Sequence, residues 1–387
     1  MPTERGIFMS RVKKMFLDIR FITSLYLLAA LVVSIQKIYS GALNNVLIFR
    51  YSFVNLINKV DLYSLHPEQH LDYYKYSPAF AIFMAPFAAI PSQVGAVVWN
   101  LLNAVIFLLG IKSLDIEKKY KTIFLWLCFF EYMTSMNYFQ SNVMMAGLMM
   151  MVFSCLAKTR PVLSGFISTI LFNIKIFGAG VASVFLLYSK KRWFIISAVL
   201  SSLVLAVVGI LLSSFSYTYE MYLSWLKLLL WDFDASLGVS VMALINQYIL
   251  MPKLWIQLAG TALTFSPIVI CWFKGPRGVS RVALVSAIMI WSVIFNHKAE
   301  TATYIIAVTG AVLWFVYSSK TILDKILIGL VFIFTTLSPT EFFPKVLVEI
   351  LGGKDFVKLV PCVLLWIKIL FDEWSILLSS KGHQSYR

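Results

Sequence analysis

Three carboxylates (Asp61, Glu68, Asp72), two histidines (His66, His70) and Lys75 crowd into the stretch Asp61 to Pro78 of a chain that is otherwise mostly apolar. A carboxylate beside an acceptor hydroxyl can take its proton in a transition state. A lysine nearby can hold a phosphate as a point charge. The stretch therefore suits a general base with a cation for a phosphate-bearing ligand. The same residues also fit a solvated loop with surface charges, which composition alone favours. His66, Glu68 and His70 could hold a divalent metal, but their spacing is not diagnostic.

Polar groups elsewhere interrupt apolar runs. Asn173 and Lys175 break the run 162–188, and Asn296, His297, Lys298 and Glu300 break 281–317. An ionisable group at membrane depth costs on the order of 3 kcal/mol, so it usually faces a cavity or a partner. At a span end it can instead snorkel to the surface. Gln140, Ser141 and Asn142 open another apolar run, where capping the helix is the expected role and facing a site is the alternative. Cys128, Cys155, Cys271 and Cys362 all lie in apolar runs without metal spacing and read as small buried hydrophobes. There is no GxGxxG, Walker A, HExxH or GxSxG motif. An ATP-driven pump is therefore not expected, and no run carries the charge series of a voltage sensor.

The elements that must position these groups are membrane helices. The chain has 387 residues, of which 60% are hydrophobic and 13% charged. Soluble domains carry about 25% charged residues, and mean hydropathy here is +0.83. The net charge of +15 comes from short basic clusters between apolar stretches. That is the positive-inside pattern, and it argues against a nucleic-acid partner. Arg5, Arg11, Lys13, Lys14 and Arg20 precede a first apolar run from Phe21 to about Tyr39. That run is too long for a signal-peptide core and reads as a retained span with a cytoplasmic N-terminus.

Further spans centre on 94–111, 122–136, 141–157, 162–175, 177–188, 193–214, 254–273, 281–296, 301–317, 321–337 and 346–370. Segment 77–91 is short and carries Pro78, Pro86 and Pro91, which suits an interfacial or re-entrant helix. With 77–91 not crossing, the basic stretches 112–121, 158–160, 190–192, 274–281 and 318–320 all fall on the N-terminal side. The pair 162–175 and 177–188 is kept apart because merging them would break this alternation. The expectation is an all-α, polytopic bundle of about twelve spans, within ten to thirteen, forming a single transmembrane domain over 1–387. Both termini are expected in the cytoplasm. The longer loops, 40–93 and 215–253 above all, collect on the opposite face and are rich in aromatics, as interfacial helices are.

In this frame the residues resemble glycosyltransferase family 87. The resemblance rests on a first span followed by a long outer loop, then Lys75-Tyr76-Ser77-Pro78, Pro86-Phe87-Ala88-Ala89-Ile90-Pro91 and Trp99. It continues through Gln140-Ser141-Asn142, Lys175, the basic Lys190-Lys191-Arg192-Trp193 and Asp234-Ala235-Ser236-Leu237-Gly238. Each motif is short, but their order covers most of the chain. The resemblance implies a GT-C-like enzyme of the bacterial plasma membrane, acting on the outer face. Its donor would be a polyprenyl-phosphate sugar, mannose or another hexose or pentose, and its acceptor a lipid or glycan among the membrane lipids. It also implies inversion by an acidic base in the first outer loop.

One position departs from the pattern. Where the family often has Asp-x-x-x-Tyr, this chain has Asn45-Val46-Leu47-Ile48-Phe49, and Asn45 cannot act as a base. Asp72, Glu68 and Asp61 are then the candidates for the role. By analogy Lys75, Lys175, His297 and Lys298 would bind the donor phosphate, with Tyr76, Gln140 and Asn142 positioning substrate. No cofactor follows from the residues, and a divalent metal is left open. The competing readings are a lipid or solute transporter or flippase, and a non-catalytic protein of glycan assembly, which Asn45 would suit. A transporter would carry its ionisable groups mid-span.

Overall fold

A computed structural model describes residues 14–275 and 278–379, and among these every regular element is helical. Arg5, Arg11, Lys13 and Arg277 of the basic clusters lie outside the described residues. Helix α1 spans Ile19–Tyr39, α2 Asn44–Ile57, α3 Pro78–Phe83, α4 Ala85–Ala88 and α5 Ser92–Ser113. Next come α6 Lys118–Met136, α7 Asn142–Ala157, α8 Pro161–Ile174 and a 3₁₀ helix, Ile176–Leu187. Helices α9 (Lys191–Leu212), α10 (Phe215–Ala235), α11 (Val241–Asn246) and α12 (Lys253–Lys274) follow. The chain continues with α13 Arg281–Ile294, α14 Tyr304–Tyr317, α15 Ile322–Leu330, a π-helical turn Val331–Thr336, α16 Lys345–Ile350 and α17 Lys354–Leu378.

Four helices, α1, α5, α9 and α12, are long and apolar enough to cross a bilayer. Helix α9 has the highest mean hydropathy of the four, 2.8, yet only 11% of that window is buried within the protein. So apolar a surface is stable only against lipid. The opposite case is α7, which is buried on nearly every side from Asn142 to Leu156 and forms the centre of the bundle with α13 and α14. Small residues let the central helices touch. A methyl added to Gly110 of α5 would meet the Gly147 carbonyl oxygen of α7 at 2.5 Å.

Local sequence sets the ends. Ser77 caps α3 by accepting from the Phe80 N–H, with Pro78 at the first helical position. At six residues, α3 is about 9 Å long, too short to cross a membrane. Lys175 ends α8 with φ −154° and ψ 128°. From there the 3₁₀ helix folds back beside α8, so that Pro161 and Phe185 line one small cavity. The run 162–188 is thus a helical hairpin with Lys175 at its turn.

The two ends of the bundle differ in kind. At one end Lys158 donates to the Ser113 carbonyl, the Tyr317 hydroxyl to the Asp115 carbonyl, and Lys320 lies over the Tyr120 ring. Arg281 stacks on Tyr188 and Lys191 on Trp272 at the same end. The five basic stretches therefore sit together. Trp126, midway along α6, donates to the Phe16 carbonyl and so ties the segment before α1 to that helix. At the other end the loops 40–93, 137–140, 215–253 and 297–300 meet.

Candidate active site

Polar side chains from separate segments converge at the loop-rich end. Asp232, in the last turn of α10, is 7% exposed at its side chain and accepts from Lys75 Nζ at 2.9 Å. The Ser236 hydroxyl donates to the same Oδ1 at 2.9 Å, and Lys298 Nζ donates to the Ser236 oxygen at 3.2 Å. His297 Nε2 stands 3.5 Å from Asp232 Oδ2. That is an ion-pair distance but not hydrogen-bond geometry, and this buried nitrogen has no hydrogen-bond partner among the described residues. Burial would raise the Asp232 pKa, but the contacts from His297 and Lys75 outweigh it and hold the carboxyl well below its usual range. Asp232 is therefore a fixed anion that orients Lys75 directly and Lys298 through Ser236, and a poor base.

Backbone packing holds this cluster together. The Gly238 N–H donates to the His297 carbonyl at 2.6 Å and the Val239 N–H to the Ala299 carbonyl at 2.8 Å. A Cβ at Gly238 would lie 2.4 Å from the Ala299 oxygen, so only glycine fits. Lys253 Nζ donates to the carbonyls of Phe233, Asp234 and Ser236, which satisfies the C-terminal end of α10. Trp225 donates its indole N–H to the Lys75 carbonyl at 3.2 Å, and Tyr73 packs edge-on against Trp231. These aromatics thus fix the backbone that carries Lys75.

A second chain of groups runs alongside. Lys175 Nζ donates to Asn142 Oδ1 at 3.0 Å, Asn142 Nδ2 to Gln140 Oε1 at 2.6 Å, and Gln140 Nε2 to Glu300 Oε2 at 2.7 Å. Each amide accepts from one side and donates to the other, so an ammonium and a carboxylate are coupled through two dipoles. Lys175 also lies 5.9 Å from the ring centres of Tyr76 and Phe177. The expected capping of α7 is replaced by this chain. Ser141 makes no side-chain cap bond; its hydroxyl faces Tyr76 at 3.4 Å. An open cavity of about 340 Å³ adjoins Glu300, lined also by Tyr138, Leu237, Gly238, Val239, Ala299 and Thr301. A larger groove of about 660 Å³ lies at the basic end against α8 and α9, but its lining contains no carboxylate.

The structure thus brings Lys75, Tyr76, Gln140, Asn142, Lys175, His297 and Lys298 to one region. The three first-loop carboxylates are placed differently. Asp61 accepts from the Tyr63 N–H and the Ser64 hydroxyl and so organises its own turn. Glu68 has a side chain 68% exposed, 3.7 Å from His66. Asp72 is exposed and accepts from the Tyr73 N–H. His66 and His70 turn to the carbonyls of Asp61 and Asp72 instead of converging with Glu68 on a metal. Among the described residues no group of three His, Cys, Asp or Glu has that arrangement. Burial holds the His70 imidazole below its usual pKa. Asn45 donates to the Tyr138 carbonyl at 2.7 Å, beside the 340 Å³ cavity.

Asp232 escapes sequence reasoning, which notes Glu300 only as a break in an apolar run. The available signal for Asp232 is a carboxylate inside the aromatic run Trp231-Asp232-Phe233, two residues before the Asp234-Ala235-Ser236-Leu237-Gly238 motif. Within that motif Ser236 and Gly238 reach the cluster, while Asp234 is exposed.

No curated protein matches the chain. The family model described as glycosyltransferase family 87 matches residues 74–319, which hold both hydrogen-bonded groups and the two helical-hairpin halves around Lys175. With nearly two-thirds of its length matched, this apolar helical chain belongs to glycosyltransferase family 87 and is a membrane glycosyltransferase.

Proposed function

We propose that the enzyme moves a sugar, mannose or another hexose or pentose, from a polyprenyl-phosphate donor to a lipid or glycan acceptor. Transfer would occur at the loop-rich end of the bundle, by inverting displacement. The observation that carries this reading is the convergence of Lys75, His297 and Lys298 around Asp232 and Ser236. Two lysines and a histidine against one carboxylate leave surplus positive charge, and His297 Nε2 still has a donor or acceptor position to fill. Preorganised cations of this kind stabilise a phosphate as the sugar leaves it. Lys175 adds charge from the neighbouring hairpin turn, while Tyr76, Gln140 and Asn142 shape the space between.

A lipid donor accounts for an enzyme with so little structure outside the apolar bundle. The grouping of the basic stretches at the opposite end supports a bacterial plasma membrane protein of about twelve crossings with both termini cytoplasmic. The acceptor must also lose a proton. Asp61 is engaged in its own turn, Glu68 projects into solvent and Asp72 accepts from the Tyr73 N–H, whereas Glu300 is hydrogen-bonded to Gln140 in the chain that leads to Lys175.

The test is incubation of the purified full chain in lipid nanodiscs with radiolabelled polyprenyl-phosphate sugars and, separately, nucleotide sugars. Release of polyprenyl phosphate with label moving to a new product is expected. Transfer from nucleotide sugars alone would sink the reading.

A further inference from the structure

Glu300 is the carboxylate that lines the 340 Å³ cavity at the loop-rich end. Its side chain accepts from the Thr303 N–H as half of a capping box, and Oε2 accepts from Gln140. A carboxylate offers about four acceptor positions, so these two bonds fix its orientation and leave lone pairs for the cavity. The residue is exposed there, whereas Asp232 is buried and bound by Lys75 and Ser236. The same cavity is lined by Tyr138, which is 47% exposed. An aromatic face beside a carboxylate with free acceptor positions suits a sugar ring and its hydroxyls. Lys298 lies two residues before Glu300, on the far side of Ala299, and points to Ser236. The cavity therefore adjoins the cationic cluster without sharing its charges.

We infer that this cavity holds a sugar of the acceptor and that Glu300 takes the proton of the attacking hydroxyl, a role that Asp72 does not fill. The inference rests on the donor reading above. In the step, the acceptor O–H bond breaks and its proton passes to Glu300. The oxygen forms a bond to the anomeric carbon. The bond from that carbon to the phosphate oxygen breaks, and its electron pair leaves with polyprenyl phosphate, whose charge Lys298, His297 and Lys75 receive. Glu300 then returns the proton to solvent. Gln140 is a positioning residue, since its amide fixes the carboxylate and carries the influence of Lys175.

The experiment compares wild type, Glu300→Gln, Glu300→Asp, Asp72→Asn and Tyr138→Ala. All are full-length chains in nanodiscs, given a radiolabelled polyprenyl-phosphate sugar and octyl glucoside, galactoside or mannoside as acceptor. Glutamine keeps an oxygen for the Thr303 N–H but turns an N–H toward the Gln140 donor, so Glu300→Gln should stay folded and melt somewhat below the wild type. Its kcat for transfer should fall by about 100-fold or more, with the donor KM unchanged. Glu300→Asp should regain part of the rate. Asp72→Asn should keep it, and Tyr138→Ala should raise the KM for the glycoside while sparing kcat. A wild type that consumes no polyprenyl-phosphate sugar overturns the donor reading and this inference with it. A wild type that consumes it while Glu300→Gln keeps its rate, or Asp72→Asn loses it, overturns the inference alone.

Discussion

Lys75 and Asp232 lie 157 residues apart in sequence, yet the ammonium of one stands 2.9 Å from the carboxylate of the other. The pair ties the loop between α2 and α3 to the end of α10, and so brings the loop that carries Asp72 against the segment that carries Ser236.

The lowered pKa of Asp232 gives that tie a pH dependence. An aspartate titrates at about 3.9 in an unfolded chain. A folded value below that contributes stability that is fully present above the unfolded value and is lost as pH falls through the folded one. The melting temperature of wild type should therefore exceed that of Asp232→Asn at neutral pH, and the gap should close below about pH 4. A gap that stays constant from neutral pH to about pH 3, measured by scanning fluorimetry in detergent, would show that the ion pair is not what Asp232 supplies.

A second ion pair is wholly buried. Lys358 Nζ donates to Glu131 at 2.9 and 2.7 Å and to the Thr335 carbonyl at 3.0 Å, and the two side chains are 3% and 0% exposed. It joins α6, α17 and the π-helical turn. Removing one partner strands the other charge among apolar residues, which costs about 3–5 kcal/mol, whereas replacing both with apolar groups is often neutral. Lys358→Met should thus lower the unfolding temperature sharply, and Lys358→Met with Glu131→Leu should recover much of the loss. A double variant no better than the single one would argue that the charges themselves stabilise the fold.

What could be read from the sequence follows the range of the signal. Basic stretches are local features, so 112–121, 158–160, 190–192, 274–281 and 318–320 can be grouped on one face before any contact between them is known. Contacts such as Lys158 with the Ser113 carbonyl then join them at one end of the bundle. The break at 175 is equally local, because Asn173 and Lys175 interrupt an apolar run, and the chain does turn there. Asp232 is not legible, since the residues that give it a role, Lys75 and His297, lie in other loops. For Gln140 and Asn142, sequence predicts capping of α7. Their partners, Glu300 and Lys175, come from distant segments, and a buried amide follows its nearest partner wherever the fold brings one.

Gly238 separates packing from chemistry. Alanine there would push its methyl to 2.4 Å from the Ala299 oxygen, and backbone cannot give way as a flexible side chain can. Gly238→Ala should therefore displace 297–300 and abolish transfer. The control is Gly209→Ala in α9, where the nearest atom to the added methyl is 3.8 Å away. Alanine in a helix is favoured over glycine by roughly 0.5–1 kcal/mol, so this variant should melt at or above the wild-type temperature and keep its activity. Equal activity in both variants would show that the contact between Gly238 and Ala299 does not hold the site.

Lys175 tests the coupling between the two groups of polar residues. Its ammonium donates to Asn142, which leads through Gln140 to Glu300, and it lies near Tyr76. If its charge acts on the donor phosphate directly, Lys175→Met should raise the donor KM and leave the response to Glu300→Gln unchanged, so that the two losses add. If it acts through the amide chain, the losses should fall short of additive, because the second change removes an interaction already broken. The chain of short contacts favours the second outcome, with a coupling of about 0.5–3 kcal/mol between the two variants. Steady-state rates of the single and double variants measure it, and strict additivity would reduce the chain to a set of independent hydrogen bonds.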